Sequence, residues 1–348
     1  MLTDYFYPHI GGVEKHVKYI SEELSKRQHQ ITILTRRYDL SLPTKEEYPS
    51  YTVLRFNDDQ LLSKSVWLSK HEEIIANSDL IHCHDYGTFI YWYLPFRLKY
   101  LNKPVYVTFH GYEGFPINEY TIYYRKITQE FTLGNICVGE YICKWYGTKA
   151  DYVTYGAVNV NRYNTTTADP LMAVFVGRLE KDTGIMAYLE GLNILKDKFH
   201  TKLFLNICGD GSLRKTIEEY VQTNNLSVNL LGFVENPELY IRQSEYVFTS
   251  GYLGILEAMA NQKIVVSVYE NALKKDYLKC FPDADKLMEI CDSPHELASK
   301  LNHMINNPHI KNIKTSAAFN FAAEQTWNRL ADIYESLYTR TGAGQYGK

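Results

Sequence analysis

The second half of the chain repeats one local pattern: a short apolar run, a turn that contains glycine, and an amphipathic stretch with helical spacing. Four such turns follow one another, GRLEKDTG at 177–184, CGDGS at 208–212, LGFVENPELY at 231–240 and SGYLGILEAMA at 250–260. Strands that alternate with helices at these intervals predict a doubly wound parallel sheet. Ligands of such sheets bind beyond the carboxyl ends of the strands. The order of the turns therefore predicts one nucleotide-binding sheet.

The stretch from Val247 to Ala260 predicts a buried strand, a Ser-Gly turn and the first turns of a helix. The first N–H groups of a helix lack intrahelical acceptors and carry a partial positive charge, so they bind phosphate well. We expect these groups to take a diphosphate while Glu257 accepts hydrogen bonds from the hydroxyls of a neighbouring sugar. The residues concerned are Ser250, Gly251, Tyr252 and Leu253. The alternative is that Gly251 and Gly254 serve only the turn and its packing, with Glu257 in solvent.

Two cations follow the strand predicted before the first turn. Arg178 leaves the carboxyl end of the strand Met172–Val176, where a guanidinium can hold diphosphate oxygens, and Lys181 lies in the same loop. The alternative for this loop is a surface ion pair. Gly209 and Gly211 are weaker candidates, because tight strand-to-helix turns often contain the same residues.

The composition limits the class of protein. A chain of 348 residues suits two domains, and a net charge of -3 gives no reason to expect a nucleic acid partner. The six cysteines form no CxxC pair, which favours a reduced, cytoplasmic protein. No apolar run has the length of a membrane span, and the first residues lack the features of a signal peptide.

The first half also alternates strands and helices. Gly11 and Gly12 open an amphipathic helix, and a glycine pair at a helix start lets the backbone approach an anion. A simple loop-to-helix turn is the alternative. Little sequence precedes Thr3, so the first strand is either very short or lacks its beginning in this chain.

Histidines fall at the ends of predicted strands in this half. His82 and His84 share one face of a strand, but no further ligands are spaced nearby, so we expect no metal site. His110 can donate to or accept from a ligand hydroxyl or a pyrophosphate, with a satisfied structural histidine as an equal alternative. Glu113, in the loop that follows, is a second polar candidate.

Together these motifs resemble the family 4 retaining glycosyltransferases of the GT-B fold. They run in the order DYFYPHIGGVEKHV, HCHD, TFHG, VGRLEKDTGI, CGDGSLR, LGFV and LEAMA, followed by Trp327. The resemblance implies an α/β fold with two Rossmann-like, doubly wound parallel-sheet domains facing a central cleft. The expected boundaries are an acceptor-side domain at 1–158, a linker at 159–170, a nucleotide-sugar domain at 171–325, a helix at 326–340 that returns to the first domain, and a disordered tail at 341–348.

The resemblance also implies roles for single residues. Arg178 would bind the donor diphosphate, and Glu257 would bind the nucleotide ribose. The Gly11–Gly12 loop would close over the phosphates, while His110 would hold the transferring sugar and assist the departing diphosphate. The backbone that would face the base belongs to Phe233 and Val234.

Two positions depart from the family pattern. The family usually carries an earlier glutamate paired with Glu257, and Thr249 occupies that position here. The usual lysine of the Arg178 loop is replaced by Thr183, so Lys181 must serve from another position or the phosphate loses a charge. These changes indicate a subgroup defined by GRLEKDTG and SGYLGILEAMA, and they leave the identity of the sugar open.

The expected reaction is transfer of a hexose, with retention, from a UDP- or GDP-type sugar to a hydroxyl of a glycan or lipid-linked acceptor. No carboxylate pair suits a double displacement, which favours same-face attack with the departing diphosphate taking the acceptor proton. Arg178, Lys181 and the helix starting near Leu253 would neutralise the leaving group, without a required metal.

Two alternatives stay open at this point. One is an epimerase or phosphorylase of the same fold, and the other is a sugar-nucleotide-binding protein without catalysis. The acceptor-side candidates are His84 and Glu113. Scattered basic residues of the first half could meet anionic lipid, so peripheral contact with the inner membrane face is a further expectation. The oligomeric state is open.

Overall fold

The computed structural model describes residues 1–57, 63–160 and 168–339. The chain divides into two compact units: the first contains Met1–Gly156 and the segment that begins at Trp327, and the second contains Ala157–Thr326. Most of the predicted linker, 161–167, and the predicted tail at 341–348 lie outside the described residues. Asp169 and Pro170, which the sequence assigned to the linker, belong to the first strand of the second unit.

The first unit contains two groups of strands flanked by helices. Its strands are β1 (Thr32–Arg36), β2 (Lys45–Glu47), β3 (Thr52–Phe56), β4 (Ile81–His84), β5 (Val105–Phe109), β6 (Gly134–Val138) and β7 (Tyr152–Thr154). Its helices are α1 (Gly12–Lys26), α2 (Ser63–Lys70), α3 (Glu72–Asn77), α4 (Tyr86–Thr88), α5 (Leu94–Lys99), α6 (Glu119–Phe131) and α7 (Tyr141–Tyr146), with a π-helical segment at Phe89–Tyr93. The strand orders are β2-β3-β1 and β4-β5-β6-β7. β2 is antiparallel to β3, and the other pairs are parallel.

The two groups of strands are joined at the start of the chain. Leu2 forms parallel bridges with Leu34 and Cys83. Its N–H donates to the carbonyl of His82, and its carbonyl accepts from the N–H of His84, both at 2.9 Å. Leu2 therefore connects β1 and β4 through one bridge to each strand.

The second unit contains a single parallel sheet among the residues that the structure describes. Its strands are β8 (Asp169–Val176), β9 (Phe204–Cys208), β10 (Val228–Gly232), β11 (Ser244–Phe248), β12 (Ile264–Val268) and β13 (Glu289–Cys291). Its helices are α8 (Ile185–Phe199), α9 (Arg214–Thr223), α10 (Glu238–Gln243), α11 (Tyr252–Ala260), α12 (Ala272–Lys279), α13 (Ala284–Leu287), α14 (Pro294–Asn306) and α15 (Pro308–Glu324), with a 3₁₀ turn at Lys181–Thr183. The sheets and their helical crossovers confirm the predicted α/β, doubly wound class.

The order of this sheet, β10-β9-β8-β11-β12-β13, reverses direction between β8 and β11. The central strands are apolar because both faces are covered; every residue of β12 is buried, for example. Ligands of open parallel sheets bind at such a reversal, beyond the carboxyl ends of the two strands. The topology therefore predicts a ligand site at the turns after β8 and β11.

The final helix, α16 (Trp327–Tyr338), belongs to the first unit, where it packs on α1. Arg27, which follows α1 directly, forms ion pairs with Asp332 at 2.8 Å and Glu335 at 2.5 Å. A buried hydrogen bond of 2.9 Å joins His16 Nε2 to the hydroxyl of Tyr334. The apolar face of α16, with Leu330 and Leu337, is buried in the same unit.

Candidate functional site

The turns after β8 and β11 leave neighbouring strands at the same edge of the second sheet. Phe175 of β8 is in register with Phe248 of β11, and the two strands are parallel. Arg178 follows the first strand by two residues, and Ser250 follows the second by two. The sheet therefore brings these two sequence-predicted turns together at the point where its strand order reverses.

The N-terminus of α11 provides two available amide groups. The first hydrogen bond of the helix runs from Ile255 N–H to the carbonyl of Gly251, at 2.9 Å. Within the described part of the chain, the N–H groups of Leu253 and Gly254 have no acceptor. These amides, together with the helix dipole, can receive an anion.

Tyr252 does not fit its predicted role as an amide donor to the ligand. Its N–H already donates to the hydroxyl of Tyr277, at 3.0 Å, and its own hydroxyl donates to the carbonyl of Tyr277, at 2.6 Å. The side chain is buried and stacks on Tyr277. Tyr252 therefore fixes the start of α11. Sequence reasoning missed this contact because Tyr277 lies on another helix.

The outer face of α11 carries Glu257. Leu253, Gly254 and Glu257 are partly exposed, whereas the remaining residues of the helix are buried. Helical spacing sets Glu257 one turn beyond the two available amides. This face is compatible with the prediction, in which the amides at the helix start bind a phosphate and Glu257 accepts from a sugar hydroxyl.

Thr249 explains why Gly254 is a glycine. A Cβ added at Gly254 would lie 2.5 Å from Thr249 Oγ1. Thr249 is buried, and its carbonyl accepts from Ser267 Oγ at 2.6 Å. The packing alternative therefore holds for Gly254, whereas a Cβ at Gly251 would meet open space. The position where the family pattern has a glutamate is, in this chain, part of the packing beneath α11.

The loop after β8 exposes its cations. Arg178 is 66% exposed, and its Nη2 donates to Asp182 Oδ2 at 2.8 Å. Such exposed pairs contribute little stability and exchange partners readily. Lys181 is exposed and makes no ion pair with any described residue. Thr183, the residue in place of the family lysine, closes the turn by donating to the carbonyl of Glu180 at 2.7 Å.

Gly209 and Gly211 have a different role from the predicted ligand contact. A Cβ at Gly209 would collide with the carbonyl of Gly177, and one at Gly211 would lie 2.6 Å from the carbonyl of Leu179. Their N–H groups are also taken, by the carbonyl of Gly232 and by the Asp210 side chain, both at 2.8 Å. The two glycines therefore let the turn after β9 lie against the Arg178 loop, which corrects the sequence prediction.

The turn after β10 presents Phe233 and Val234. Phe233 is 62% exposed, and Val234 is partly buried. Gly232 precedes them with a φ of +70°, a left-handed conformation that glycine adopts without strain. The turn lies at the same edge of the sheet as the Arg178 loop, because β8, β9 and β10 are parallel.

The Gly11–Gly12 turn begins α1 in the first unit, but a carboxylate already covers it. A Cβ at Gly11 would collide with the carboxylate of Glu14, which is buried and contacts His9 Nδ1 at 2.6 Å. A phosphate at this helix start would have to displace Glu14. Gly11 is needed for that close contact.

His110 is held by three neighbours. Its Nε2 lies 2.9 Å from His84 Nδ1, its backbone N–H donates to Asp85 Oδ1 at 3.0 Å, and its ring contacts His16 edge-on. Burial, reinforced by the charge of Arg125, lowers the pKa of His110 to about 3. The ring is therefore neutral at pH 7 and can exchange hydrogen bonds with a ligand, but it cannot supply a cation.

His84 is buried, which contradicts its assignment as an acceptor-side contact. Its side chain is 2% exposed and bonds His110, and burial lowers its pKa well below the usual value. His84 therefore positions His110. Glu113, by contrast, is exposed and is held by Arg125, by Tyr86 at 3.0 Å and by Thr121 at 3.1 Å.

A tyrosine-rich pocket lies beside Glu113 in the first unit. Its volume is about 350 Å³, and its lining includes Tyr86 and Thr121, two of the residues that donate to Glu113. The other lining residues are Tyr91, Asn118, Tyr120 and Tyr124. The sequence indicated only a tyrosine-rich helix here, because the pocket needs α6 and the residues after β4 to meet.

A buried network of neutral groups was also missed by sequence reasoning. Tyr338 bonds His82 Nδ1 at 3.0 Å, and His82 Nε2 bonds Thr108 at 2.8 Å. Thr108 bonds Tyr334 at 2.9 Å, and Tyr334 bonds His16 at 2.9 Å. Burial lowers the pKa values of His16 and His82 well below the usual value. The network ties α16 to the strands of its unit.

Within residues 1–57, 63–160 and 168–339, no three His, Cys, Asp or Glu side chains are grouped so as to hold a metal ion. Over the same ranges, no helix has the length and apolarity needed to cross a bilayer.

Two family models match the chain. Glycosyltransferase family 4 matches residues 10–152, and glycosyl transferases group 1 matches residues 161–325. An uncharacterized glycosyltransferase of Methanocaldococcus jannaschii is 24% identical over 97% of this chain and 98% of its own length. One subunit of the phosphatidylinositol N-acetylglucosaminyltransferase of Homo sapiens is 26% identical over 69% of this chain and 54% of its own length.

Solved structures share the fold. Sucrose-phosphate synthase from Thermosynechococcus elongatus has a TM-score of 0.78 at 17% identity, over 99% of this chain and 98% of that one. The Anabaena protein HepE, solved in complex with UDP and glucose, has a TM-score of 0.74 at 15% identity, over 97% of this chain and 98% of that one.

Proposed function

The chain belongs to the family 4 glycosyltransferases with the GT-B fold, and from this premise we propose that it transfers a hexose with retention from a nucleotide diphosphate sugar to a hydroxyl acceptor. One observation carries the proposal. The Arg178 loop and the N-terminus of α11 leave adjacent parallel strands at the reversal of the second sheet. A guanidinium and two available amides at such a position suit a diphosphate.

The assignment of groups follows from what each can offer. Arg178, with its exposed guanidinium, binds the diphosphate together with the amides of Leu253 and Gly254. Glu257, on the outer face of α11, accepts hydrogen bonds from the ribose hydroxyls. Lys181 is exposed and can approach the same phosphates. The complex of HepE, a structural neighbour of this chain, with UDP and glucose supports the proposal of a nucleotide-sugar donor.

The proposed chemical step uses positioning and charge, without a protein nucleophile. The acceptor oxygen attacks the anomeric carbon, the bond from that carbon to the diphosphate oxygen breaks, and the acceptor proton passes to the departing phosphate on the same face. Cationic and amide groups stabilise the charge that develops on the leaving group. His110, which is neutral, holds a sugar hydroxyl by a hydrogen bond. Glu113 and the tyrosine pocket would meet the acceptor.

The donor site is tested by thermal shift with UDP-, GDP- and ADP-glucose on the wild type, Arg178→Ala and Glu257→Ala. A bound donor stabilises the protein by an amount that grows with its affinity. We expect one donor to raise the melting temperature of the wild type and to do so much less in both variants. Lys215→Ala, on exposed α9, is the matched control and should keep the full shift. A full shift in Arg178→Ala and Glu257→Ala contradicts the assignment.

The reaction itself is tested with that donor and a panel of hydroxyl acceptors. NMR of the product reports the configuration at the anomeric carbon, and retention is expected. Activity should persist in EDTA, because we propose that protein groups alone neutralise the leaving group. Turnover of the donor without acceptor would favour an epimerase, and donor binding without any turnover would favour a non-catalytic protein.

A further inference from the structure

The Arg178 loop carries one cation fewer than the family pattern. Thr183 stands where that pattern has a lysine, and its hydroxyl is engaged with the carbonyl of Glu180. The remaining lysine of the loop, Lys181, lies in a 3₁₀ turn and is exposed. A second cation that is held in a fixed position near the diphosphate must therefore come from a neighbouring helix or strand.

The carboxyl end of β12 lies against this loop. β12 is the neighbour of β11 in the sheet, and α12 follows it. A Cβ at Gly184, the residue that ends the loop, would collide with Val268 Cγ2, the side chain of the last residue of β12. The start of α12 is fixed by Asn271, whose side chain accepts from Lys274 N–H at 2.8 Å. α12 thus begins close to the Arg178 loop.

Lys274 is the cation that α12 brings to this place. Burial lowers the pKa of its ammonium to about 8, and the charged groups that act on it are Asp182, which raises the pKa, and Arg178, which lowers it. Both side chains are therefore within electrostatic range of the ammonium.

Tyr277 connects the same ammonium to the start of α11. Lys274 Nζ lies 4.2 Å from the centroid of the Tyr277 ring. The Tyr277 hydroxyl accepts from Tyr252 N–H at 3.0 Å, and the two rings stack with centroids 4.1 Å apart. Lys274 thus packs on the same Tyr277 ring that holds the start of α11.

We propose that Lys274 is a ligand of the donor diphosphate and supplies the positive charge that Thr183 does not. The inference rests on the proposed function and adds a residue to its site. A lysine ammonium on a flexible stem can follow phosphate oxygens, and its charge-assisted hydrogen bonds are among the stronger polar contacts in proteins.

If the Lys274 ammonium binds the diphosphate, the affinity for the donor depends on pH. The charged or titratable groups near the ammonium include Arg178, Asp182 and Tyr277, and burial raises the pKa of Tyr277 above its usual range. In the free protein, Lys274 loses its proton as the pH passes about 8. A bound diphosphate favours the charged form, so the protein must take up a proton to bind at higher pH. The Kd should therefore rise by about fourfold between pH 7 and 8.5.

The test is calorimetric titration with the nucleotide sugar that stabilises the wild type, and separately with inorganic pyrophosphate. The variants are Lys274→Met, Lys274→Arg and the matched control Lys275→Met, an exposed lysine of the same helix. Lys274→Met should weaken binding about tenfold or more, because a charge-assisted contact is lost. With the nucleotide sugar, Lys274→Met should also remove the pH dependence of binding. Lys274→Arg should bind well without pH dependence, because arginine stays charged.

The outcomes separate the two proposals. If the wild type binds the nucleotide sugar but Lys274→Met and Lys275→Met are alike, Lys274 is not a ligand and the proposed function stands. If no nucleotide sugar binds the wild type, the proposed function fails and this inference fails with it. Far-UV circular dichroism and melting temperature confirm that each variant is folded. A folded Lys274→Met that retains the wild-type pH profile also overturns the inference.

Discussion

Two arginine–carboxylate pairs, one in each unit, have the same chemistry and differ in their contact with water. The Arg125 side chain is 0% exposed, contacts Glu113 and lies 3.6 Å from Asp85 Oδ1. The Arg178 side chain is 66% exposed, and its partner Asp182 is 42% exposed. Breaking a buried pair leaves an uncompensated charge, whereas an exposed pair opens at little cost. The Arg125 pair therefore stabilises the fold, whereas Arg178 can exchange Asp182 for a ligand.

The histidines show the same difference. His16, His82 and His84 are buried in the first unit, with His110 partly buried beside them. The histidines of the second unit are exposed at 200, 295, 303 and 309. These four first-unit histidines are thus neutral and held in place, whereas Arg178 and Lys181 of the second-unit site are exposed to solvent. Low pH, removal of a charge and changes in packing should therefore lower the free energy of unfolding of the two units by different amounts.

The largest expected effect is acid unfolding of the first unit. The folded-state pKa values of His16, His82, His84 and His110 lie below the usual value, and that of His110 is about 3. The unfolded chain binds protons below about pH 6.5, so stability present above that pH is lost as the pH falls toward 3. Each histidine contributes about 1.4 kcal/mol per pH unit, so several kcal/mol are lost by pH 5.

Tryptophan fluorescence measures this loss selectively. The tryptophans, Trp67, Trp92, Trp145 and Trp327, all belong to the first unit. Urea titrations at pH 7, 6 and 5 should show a falling free energy of unfolding by fluorescence, and His16→Gln should reduce the slope. The control His200→Gln, in the second unit, should leave it unchanged. A free energy that is constant from pH 7 to pH 5 would contradict the buried, neutral histidines.

The next effect compares the two arginines directly. Arg125→Met should lower the free energy of unfolding by about 3–5 kcal/mol, because Glu113 and Asp85 lose their buried partner. The guanidinium also lies 4.5 Å from the centroid of the Tyr146 ring, a contact that the variant loses. Arg178→Met is the matched substitution in the exposed pair and should cost less than about 0.5 kcal/mol. Fluorescence measures the first and far-UV circular dichroism the second. Equal losses would remove the distinction between the two pairs.

A smaller effect tests the packed layer under α11. Gly254→Ala should cost about 1–2 kcal/mol, because the new methyl group meets the Thr249 hydroxyl of a fixed strand end. The neighbouring change Gly251→Ala points into open space and should be close to neutral. In a Thr249→Ala background, Gly254→Ala should become neutral or stabilising, because alanine favours the helix. Denaturation followed by circular dichroism checks all four proteins. Failure of Thr249→Ala to relieve the cost would show that another neighbour opposes the methyl group.

The sequence predicted the elements that depend on local pattern. The apolar run at Tyr246–Phe248 lies within β11, and the Ser250–Gly251 break falls immediately before α11. The periodicity of apolar residues and the residue types of turns are local properties, so a single sequence is enough to predict them. The same reasoning predicted the α/β, doubly wound class, which the structure confirms.

The predictions that needed correction depend on contacts between distant segments. Gly209 is a glycine because of a carbonyl at Gly177, and Tyr252 is engaged by a hydroxyl at Tyr277. The burial of His84 follows from the packing of the His16, His82 and His110 rings around it. None of these distances is encoded in the spacing of a motif. A motif indicates which residues share a turn, and the packing decides which of their groups are left for a ligand.

The smallest expected effect distinguishes the contribution of the Arg178–Asp182 pair to stability from the effect of Asp182 on ligand binding by Arg178. Asp182→Asn removes the carboxylate that holds Arg178 and should change the free energy of unfolding by less than about 0.5 kcal/mol. It should also strengthen pyrophosphate binding by a few fold, because Asp182 competes for the guanidinium and adds a negative charge beside the phosphates. Calorimetric titration at low and high salt measures this, and salt should reduce the difference. The control Asp283→Asn removes an exposed carboxylate paired with Lys286 and should leave binding unchanged. Weaker binding by Asp182→Asn would mean that Asp182 orients Arg178 toward the phosphates, so the exposed pair would be a fixed part of the site, as the buried pair is of its unit.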